Sequence, residues 1–307
     1  MDARHEPVLL RETLEFLRGG PGLYLDATLG DAGHANALLA AEPGARLLGC
    51  DRDPAALEFA ARRLAPYGDR VMLRHARFSE LPLAHGEAGG EPLAGALFDF
   101  GLSSRQLDDP TRGIGFHHDG PLDARMDPGV GEPLHVRLSR AGEAELAQVL
   151  RDYGDVRGAG RLARALVAAA RTGELATTRQ LAALVARVLR DARPATLAPV
   201  FQALRIWIND EMAEIDAALA WLPGAMRDGG RVVTLSYHSG EDRRVKHALR
   251  GVPRVASQRR FPVMDDGAAA PTWQELTRRV VVPSSEEQAA NPRARSARLR
   301  AFRRNPR

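Results

Sequence analysis

The sequence has very little cysteine and no long apolar run. Cys50 is the single cysteine among 307 residues, which excludes an intramolecular disulfide framework and fits a reducing cytoplasm. No apolar stretch approaches the ~20 residues that cross a bilayer, and the N-terminal segment carries acids and lacks an apolar signal core. With 44% apolar residues, the chain is expected to be a cytoplasmic globular protein without a membrane partner.

Lysine is almost absent as well. Lys246 is the one lysine among 43 basic residues, and the formal net charge is +4. A positive balance favours a nucleic-acid partner, but arginine in place of lysine, together with abundant alanine, is also what a GC-rich genome produces. Local clustering is more informative than the total. Residues 291–307 contain seven arginines and no acid.

The first half of the chain is organised around residues 23–53, whose pattern predicts a buried strand, a glycine turn, a helix, a second strand and an acidic tip. Gly30 and Gly33 flank the turn, and Asp51 follows Gly30 by twenty-one residues, as in nucleotide-binding α/β units. The turn lacks the full G-x-G-x-x-G for a pyrophosphate, and Asp26 stands where a carboxylate could accept from a methionine ammonium. The pattern favours S-adenosylmethionine over NAD, with an ordinary α/β turn as the alternative.

Strands and helices alternate through the first hundred residues. Further strands are predicted at 46–50, 71–74 and 94–100, helices at 8–18, 34–41 and after Asp53-Pro54, and a glycine-rich loop at 84–95. This alternation predicts a mostly parallel, doubly wound α/β sheet whose ligands bind at the carboxyl ends of the strands. Asp26, Asp51, Phe78 and Asp99 all fall near such ends, which strengthens the prediction of a cofactor site.

The alternation stops after Asp99. The pattern predicts loops at 103–139, helices at 143–192, a linker at 191–199, one long amphipathic helix at 199–221, a strand at 231–237 and a helix at 241–249. We therefore predict an α/β core made of residues 1–111 and 196–307. A helical insertion at 112–195, which we expect to recognise the substrate, interrupts this core.

Six blocks carry a resemblance to a known family: DATLGDAGH, FDFGLSSRQLDDPTRGIGF, DGPLDARMD, FQALRIWINDEM, SYHSGEDRRVK and NPRARSARLR. From His5 to about Arg300 the chain resembles the bacterial 16S ribosomal RNA (cytosine-N4)-methyltransferases, in which these blocks have the same order. The resemblance implies a class I S-adenosylmethionine-dependent methyltransferase fold with an inserted helical domain. It also implies methylation of a decoding-centre cytidine, with 16S ribosomal RNA or the small ribosomal subunit as partner, and it is compatible with a homodimer.

The resemblance also implies a set of cofactor contacts at matching positions. These are Ala32, Gly33 and His34 in the turn, Asp51 at the ribose hydroxyls, Phe78 near the adenine, and Asp99 and Gln106 completing the pocket. The chain departs from the family pattern at Ala32, where glycine is usual, and a positive φ at that residue would be strained. Further departures at Gly115, Ala124 and Gly240 concern substrate packing rather than the reaction.

Catalysis must overcome the poor nucleophilicity of the cytosine amine, whose lone pair is delocalised into the ring. We predict that Asp99 or nearby backbone carbonyls orient this amine and that Phe100 or Phe116 stacks on a turned-out base. His238 is a second catalytic candidate, as a proton acceptor or phosphate contact, with a structural hydrogen-bonding role as the alternative. No metal site is expected, because the cluster at 117–119 (His-His-Asp) lacks a cysteine or a spaced third ligand.

For RNA, the predicted phosphate contacts are Arg293, Arg295, Arg298 and Arg300 in the tail, with a solvated flexible terminus as the alternative. Arg125 is a further candidate for a substrate contact, with an ion-paired loop network around Asp123 as its alternative. Two other functions stay open: a methyltransferase acting on another RNA or a small molecule, and a non-catalytic RNA-binding or assembly protein.

Overall fold

The computed structural model describes residues 7–250 and 272–306. The chain divides into two compact units. The sheet unit contains the described residues up to Gly101 and those from Glu214 onward, and the helical unit is Leu102–Ala213. The helical unit therefore begins before, and ends after, the 112–195 segment expected from the sequence. Within the described ranges, no helix is both long and apolar enough to cross a membrane.

The sheet unit is built on one seven-stranded sheet in the order β3-β2-β1-β4-β5-β7-β6. The first five strands in this order are parallel, and β7 runs antiparallel to both β5 and β6. This is the class I methyltransferase arrangement, so the expected fold is confirmed. The strands are Gly22–Asp26 (β1), Ala45–Asp51 (β2), Val71–His75 (β3), Leu93–Asp99 (β4), Met226–Ser236 (β5), Trp273–Glu275 (β6) and Arg298–Arg304 (β7).

Helices precede, connect and follow these strands. Asp53 caps the third helix by accepting from the backbone N–H of Ala55, and Pro54 occupies its first turn, as the sequence predicts. The helices are Leu10–Leu17 (α1), Gly33–Ala41 (α2), Pro54–Leu64 (α3), Leu81–Glu87 (α4), Ser104–Asp108 (α5), Leu134–Arg140 (α6), Glu143–Gly154 (α7), Ala159–Arg171 (α8), Thr178–Leu189 (α9), Pro194–Ile208 (α10), Glu211–Ala225 (α11), Ser239–Val245 (α12) and Ser285–Ala290 (α13).

The strand order sets where the site lies. Strand β1 pairs with β2 on one side and with β4 on the other, so the chain changes direction across the sheet between β1 and β4. Ligands of doubly wound sheets bind outside the carboxyl ends of the strands at this crossover. Asp26, Asp51 and Asp99 are the last residues of β1, β2 and β4. The topology therefore brings three carboxylates to one edge.

The helical unit has its own apolar core. Helix α7 packs against α8 and α10, and α8 against α6 and α9, around buried leucines such as Leu150 and Leu166. Thr177 caps α9: its hydroxyl accepts from the N–H of Gln180, and the Gln180 side chain accepts from the N–H of Thr177. The unit is thus a bundle whose helix boundaries are set by ordinary caps.

Two connections differ from the sequence-based expectation. The predicted loop at 84–95 is helical up to Glu87, because Leu81 and Ala84 are buried, and strand β4 begins at Leu93. The predicted linker at 191–199 is mostly helix α10.

The long helix predicted at 199–221 is two helices, α10 and α11, separated at Asn209 and Asp210. Asp210 has a left-handed φ of 51°. The Asn209 amide donates to the carbonyl of Ala124 and accepts from the N–H of Met126, both at 2.8 Å. Hydrogen bonds from Asn209 to a distant loop accompany the break between the two helices. The apolar periodicity of the sequence continues through this break, which is why it predicts one helix.

The arginine-rich tail is not a flexible terminus, and that alternative was wrong. A 3₁₀ turn at Pro292–Ser296 leads into β7, Arg298–Arg304, which lies between β5 and β6 inside the sheet. Arg300 is buried, and its guanidinium is 2.6 Å from the Asp242 carboxylate on α12 and 3.1 Å from Glu275. The apolar residues of β7 point into the core, which a run of arginines conceals in the sequence.

The Asp242–Arg300 pair should contribute strongly to stability. The Asp242→Asn substitution leaves a buried guanidinium with Glu275 alone, and we expect the free energy of unfolding to fall by roughly 3 kcal/mol. Urea denaturation at neutral pH measures this. The matched control is Asp216→Asn, since Asp216 is 57% exposed and pairs with Arg244 at the surface; it should cost less than about 1 kcal/mol. Equal losses in both variants would contradict the assignment.

Candidate active site

Asp26 is the most deeply buried of the three strand-end acids. Its side chain is 3% exposed, and Oδ1 accepts from the N–H of Thr28 at 3.2 Å. Burial raises the pKa of Asp26 to about 7, and the charges of Asp99 and Asp51 act in the same direction. A carboxylate kept from water beside two others is a place where a cation is strongly favoured.

Asp51 is held by the glycine turn. Its Oδ2 accepts from the N–H of Gly30, and its Oδ1 accepts from the N–H of Asp53, both at 2.8 Å. Burial nevertheless raises the pKa of Asp51 to about 6. The two backbone bonds fix the carboxylate at the strand end, where its remaining lone pairs can accept from vicinal hydroxyls.

The turn itself is strained and tightly packed. Ala32 is fully buried and has a left-handed φ of 55°, the strain foreseen for a residue with a Cβ. At Gly33, a Cβ would lie 2.3 Å from Cγ of Pro7, so only glycine fits. Ala32 is the N-cap of α2, and its methyl side chain cannot accept a hydrogen bond from the first N–H groups of the helix. The N–H groups at this helix start suit a carboxylate.

His34 is a neutral residue in this site. Its Nε2 lies 3.0 Å from the carbonyl oxygen of Val8, and burial lowers its pKa to about 4. If Nε2–H donates to that carbonyl, Nδ1 presents a lone pair. Nδ1 lies 3.9 Å from Oδ2 of Asp99. Two acceptors thus face the same space, which a hydrogen-bond donor would fill.

Phe78 lies on a short 3₁₀ turn that follows β3. Its ring makes edge-on contacts with Phe98 and Phe100, with centroid separations of 5.8 and 5.9 Å. Phe100 is only 2% exposed. Phe100 therefore supports Phe78 from within the core, and the prediction that it stacks on a base was wrong.

Glu214 holds the Phe78 turn in place, a role that sequence reasoning missed. Its buried carboxylate accepts from the backbone N–H and the hydroxyl of Ser79, at 2.8 and 3.1 Å, and pairs with the guanidinium of Arg77. The only signal in the sequence was an acid within an apolar helical segment. Its partners lie more than a hundred residues away, so their proximity was not predictable.

Asp99 is fixed from two sides. The hydroxyl of Tyr237 donates to Oδ1 at 2.8 Å, and the N–H of Asp99 donates to the Thr28 hydroxyl at 2.7 Å. Burial raises the pKa of Asp99 to about 7, even though the Tyr237 hydrogen bond favours the ionised form. Burial and the neighbouring Asp99 charge raise the pKa of Tyr237 well above its usual value. Tyr237 is thus a permanent donor to Asp99, and it too was missed.

His238 is placed as a helix cap. Its Nδ1 accepts from the N–H of Gly240 at 3.1 Å, and its Nε2 lies 3.1 Å from a carboxylate oxygen of Glu241. Nδ1 therefore has no lone pair left for a substrate proton. This geometry favours the structural alternative over proton acceptance.

The predicted site residues of the helical unit have the following surroundings within that unit. Gln106 is buried, and its side chain accepts from the N–H of Ser103 in the cap of α5. The Phe116 ring is partly buried against Phe201. Arg125 pairs with Asp123 at 2.7 Å and donates to the carbonyl of Gly131. These contacts favour the ion-paired loop network over an RNA contact for Arg125.

The lone cysteine is buried, and the described residues hold no cluster of metal ligands. Burial raises the pKa of Cys50 to about 12, so no thiolate nucleophile forms near neutral pH. In the part of the chain that the structure describes, no three His, Cys, Asp or Glu side chains are grouped to hold a metal ion.

The sequence pattern of the MraW methylase family matches residues 2–305. The chain belongs to this family. The ribosomal RNA small subunit methyltransferase H of Solidesulfovibrio magneticus is 44% identical over 311 residues, covering 98% of this chain and 96% of that protein. The protein of the same name from an Anaeromyxobacter species is 45% identical over 306 residues, covering 98% and 97%. Among solved structures, an rRNA methylase from Streptococcus thermophilus aligns over 97% of this chain and 94% of its own, at 11% identity and a TM-score of 0.41.

The cofactor of this MraW-family methylase is S-adenosylmethionine, and the site fits it. The cofactor carries an ammonium and a sulfonium, for which Asp26 and Asp99 supply negative charge. Asp51 offers acceptors for ribose hydroxyls, the start of α2 offers N–H groups for the carboxylate, and Phe78 offers an apolar wall for the purine. Which residue meets which group stays a prediction, as does the part assigned to Gln106.

Cofactor binding should depend on pH between about 5 and 8. Asp26 and Asp99 titrate near 7 and Asp51 near 6, so they are largely protonated at pH 5. The affinity for the cationic cofactor should rise as pH increases through this window, with proton release on binding. Calorimetry in two buffers of different ionisation heat measures both quantities. An affinity that is flat from pH 5 to 8, without proton release, would contradict the assignment.

The stability of the ligand-free protein should change in the opposite direction. These acids ionise near 3.8 in the unfolded chain and at higher pH in the folded protein, so the folded state binds more protons between those values. The free energy of unfolding should therefore fall as pH rises from about 4 to about 7. Saturating cofactor should reduce this slope.

Glu214 should act on cofactor affinity through Phe78. Glu214→Ala removes the acceptor for Ser79 and frees the turn, and we expect the cofactor dissociation constant to rise about tenfold, the scale of a lost hydrogen bond to a charged group. Glu214→Gln, which keeps one acceptor, should lose less. In a Phe78→Ala background the Glu214 change should add little. Full additivity of the two effects would refute the coupling.

Proposed function

We propose that the protein transfers a methyl group from S-adenosylmethionine to the N4 exocyclic amine of a decoding-centre cytidine in 16S ribosomal RNA. Relatives above 40% identity, aligned over nearly their whole length, are named as small-subunit ribosomal RNA methyltransferases. The observation that supports an amine as the methyl acceptor is the position of Asp99. This carboxylate is fixed at the end of β4 and has one oxygen that can still accept a hydrogen bond.

Asp99 has the geometry that amine chemistry requires. Tyr237 occupies Oδ1, while Oδ2 accepts no hydrogen bond from the residues that the structure describes. An acceptor at this point can bond an amine N–H and so draw the nitrogen lone pair out of conjugation with the ring. Other amino-methyltransferases place an Asp-Pro-Pro-aromatic element after the fourth strand, and Asp99-Phe100-Gly101-Leu102 keeps the acid of that element.

The chain's residues also account for the proton. Bound S-adenosylmethionine supplies an electrophilic methyl group, and the amine gives up one proton as its bond to that methyl forms. With a pKa near 7, Asp99 can accept this proton and release it to water. His238 is not needed for the step, because its Nδ1 caps a helix.

The candidate contacts to RNA are not all equally supported by their surroundings. Phe116 is retained as the candidate for stacking on a turned-out base, since its ring is only partly buried. Arg293 and Arg295 are retained as phosphate contacts outside β7, whereas Arg298 lies 3.9 Å from Asp242 and has a competing partner. Arg300 is withdrawn as a phosphate contact, because it is buried and paired with Asp242 and Glu275. A homodimer stays a prediction.

Asp99 substitution tests the reaction. Asp99→Asn keeps an acceptor oxygen but no charge, and Asp99→Ala keeps neither, so we expect methyl transfer to fall by roughly 10²-fold in Asn and further in Ala, the scale of one lost transition-state acceptor. Transfer of labelled methyl to unmethylated small subunits, naked 16S ribosomal RNA and a small-molecule pool measures the rate and the substrate class.

Cofactor affinity, measured separately, divides binding from catalysis. Near-normal turnover in Asp99→Ala with intact cofactor binding would remove Asp99 from the mechanism. Labelling of small molecules alone would favour the small-molecule alternative, and cofactor binding without any transfer would favour an assembly role.

A further inference from the structure

A basic segment of the helical unit has no part in the site described so far. Residues 157–193 contain two acids, Glu174 and Asp191, and eight arginines: Arg157, Arg161, Arg164, Arg171, Arg179, Arg187, Arg190 and Arg193. All eight arginine side chains are exposed. This is a much larger local excess of positive charge than the whole chain has.

The fold gathers one end of this segment around a cavity, here called the α8–α10 cleft. Gly158, at the start of α8, lies beside the end of α9: a Cβ on it would stand 3.6 Å from Leu189 Cδ2 and 3.6 Å from an Arg161 guanidinium nitrogen. The cavity is about 520 Å³. Its lining is formed by residues 154–158, Arg161, Leu189 and the start of α10, including Arg193.

The arginines differ in whether an acid already neutralises them. Arg193 is 2.8 Å from Asp191, Arg179 is 3.4 Å from Asp119, and Arg164 is 3.5 Å from Glu143. Arg157 and Arg161, which line the cleft, have no acidic partner within 4.0 Å among the described residues. Two exposed guanidinium groups thus line the cavity without a paired carboxylate.

The chemistry of the cleft selects a polyanion. Guanidinium groups bind phosphate through paired N–H donors, and Arg187 and Arg190 add charge on either side of Leu189. Asp155 and Asp191 line the cleft as well, so its charge excess is modest and spread over several arginines. A chain of phosphates spaced along a backbone matches that distribution better than a single small anion.

We propose that the α8–α10 cleft binds backbone phosphates of the RNA substrate. The inference rests on the proposed function and assigns part of the RNA contact to Arg157 and Arg161, in place of the tail strand β7. It is a sequence-independent contact, because phosphates carry no base identity.

The test compares Arg157→Gln/Arg161→Gln with Arg164→Gln in the full-length protein. Arg164 lies on the same helix as Arg161 and pairs with Glu143, so its variant controls for loss of an exposed arginine. Binding of a decoding-centre 16S ribosomal RNA fragment is measured from 50 to 200 mM salt. Loss of two phosphate contacts should reduce the slope of log affinity against log salt by about 1.4 and weaken binding about 25-fold at 0.1 M salt.

Methyl transfer to the same RNA separates the two hypotheses. The double variant should show a raised KM for RNA, an unchanged rate at saturating RNA and unchanged cofactor affinity. If the wild type methylates RNA but the double variant matches Arg164→Gln in slope and KM, the cleft is not an RNA site. If the wild type transfers no methyl to RNA, the proposed function fails instead.

A free phosphate ligand is the other source of the same chemistry. Inorganic phosphate, titrated into the wild type at fixed ionic strength, should not compete with RNA. Saturable binding of inorganic phosphate that disappears in the double variant, with RNA affinity unaltered, would overturn the proposal.

Discussion

Burial of three carboxylates at one sheet edge is the constraint on which the rest of the structure depends. Asp26, Asp51 and Asp99 end neighbouring strands, and burial raises the pKa of each. Charges kept from water are costly unless a partner neutralises them. No arginine or lysine pairs with any of the three in the described chain, so each acid is neutralised either by a proton or by a cation from outside. A cationic cofactor lowers this cost when it binds, so that relief of the buried negative charge contributes to the free energy of binding.

The surrounding structure keeps these acids in place without neutralising them. Backbone N–H groups donate to the Asp51 carboxylate, and the Tyr237 hydroxyl donates to the Asp99 carboxylate. The backbone N–H of Asp99 donates in turn to the Thr28 hydroxyl, so only neutral groups hold these acids. The turn is also fixed by packing, since Ala32 is fully buried with a left-handed φ and a Cβ on the adjacent Gly33 would collide with Pro7. Such strain of order 1 kcal/mol persists only where the packing around it is fixed.

What could be predicted from the sequence follows from topology. Once strands and helices alternate, the ends of the strands must meet, so the acids at those ends were identifiable one by one. Glu214 and Tyr237 were not, because they act through contacts between distant segments. The tail was misjudged for a different reason. Alternation of arginine with Leu299, Ala301 and other buried residues is a strand pattern. A dense run of positive charge, however, predicts an exposed segment that binds RNA.

Arginine in this chain serves two physically different purposes, and composition cannot separate them. In β7 the long side chains flank a buried core, and Arg300 is matched by Asp242 and Glu275; its charge is part of the fold. In the helical unit, Arg157, just before helix α8, and Arg161, within it, lie at a cavity without such a pairing. Counter-charge is therefore the better guide to function than the number of arginines. A guanidinium that already holds a carboxylate must give up that partner to bind phosphate, and the net gain is small. One that faces water pays no such exchange, so a basic surface is most suited to RNA where the fold leaves it unpaired.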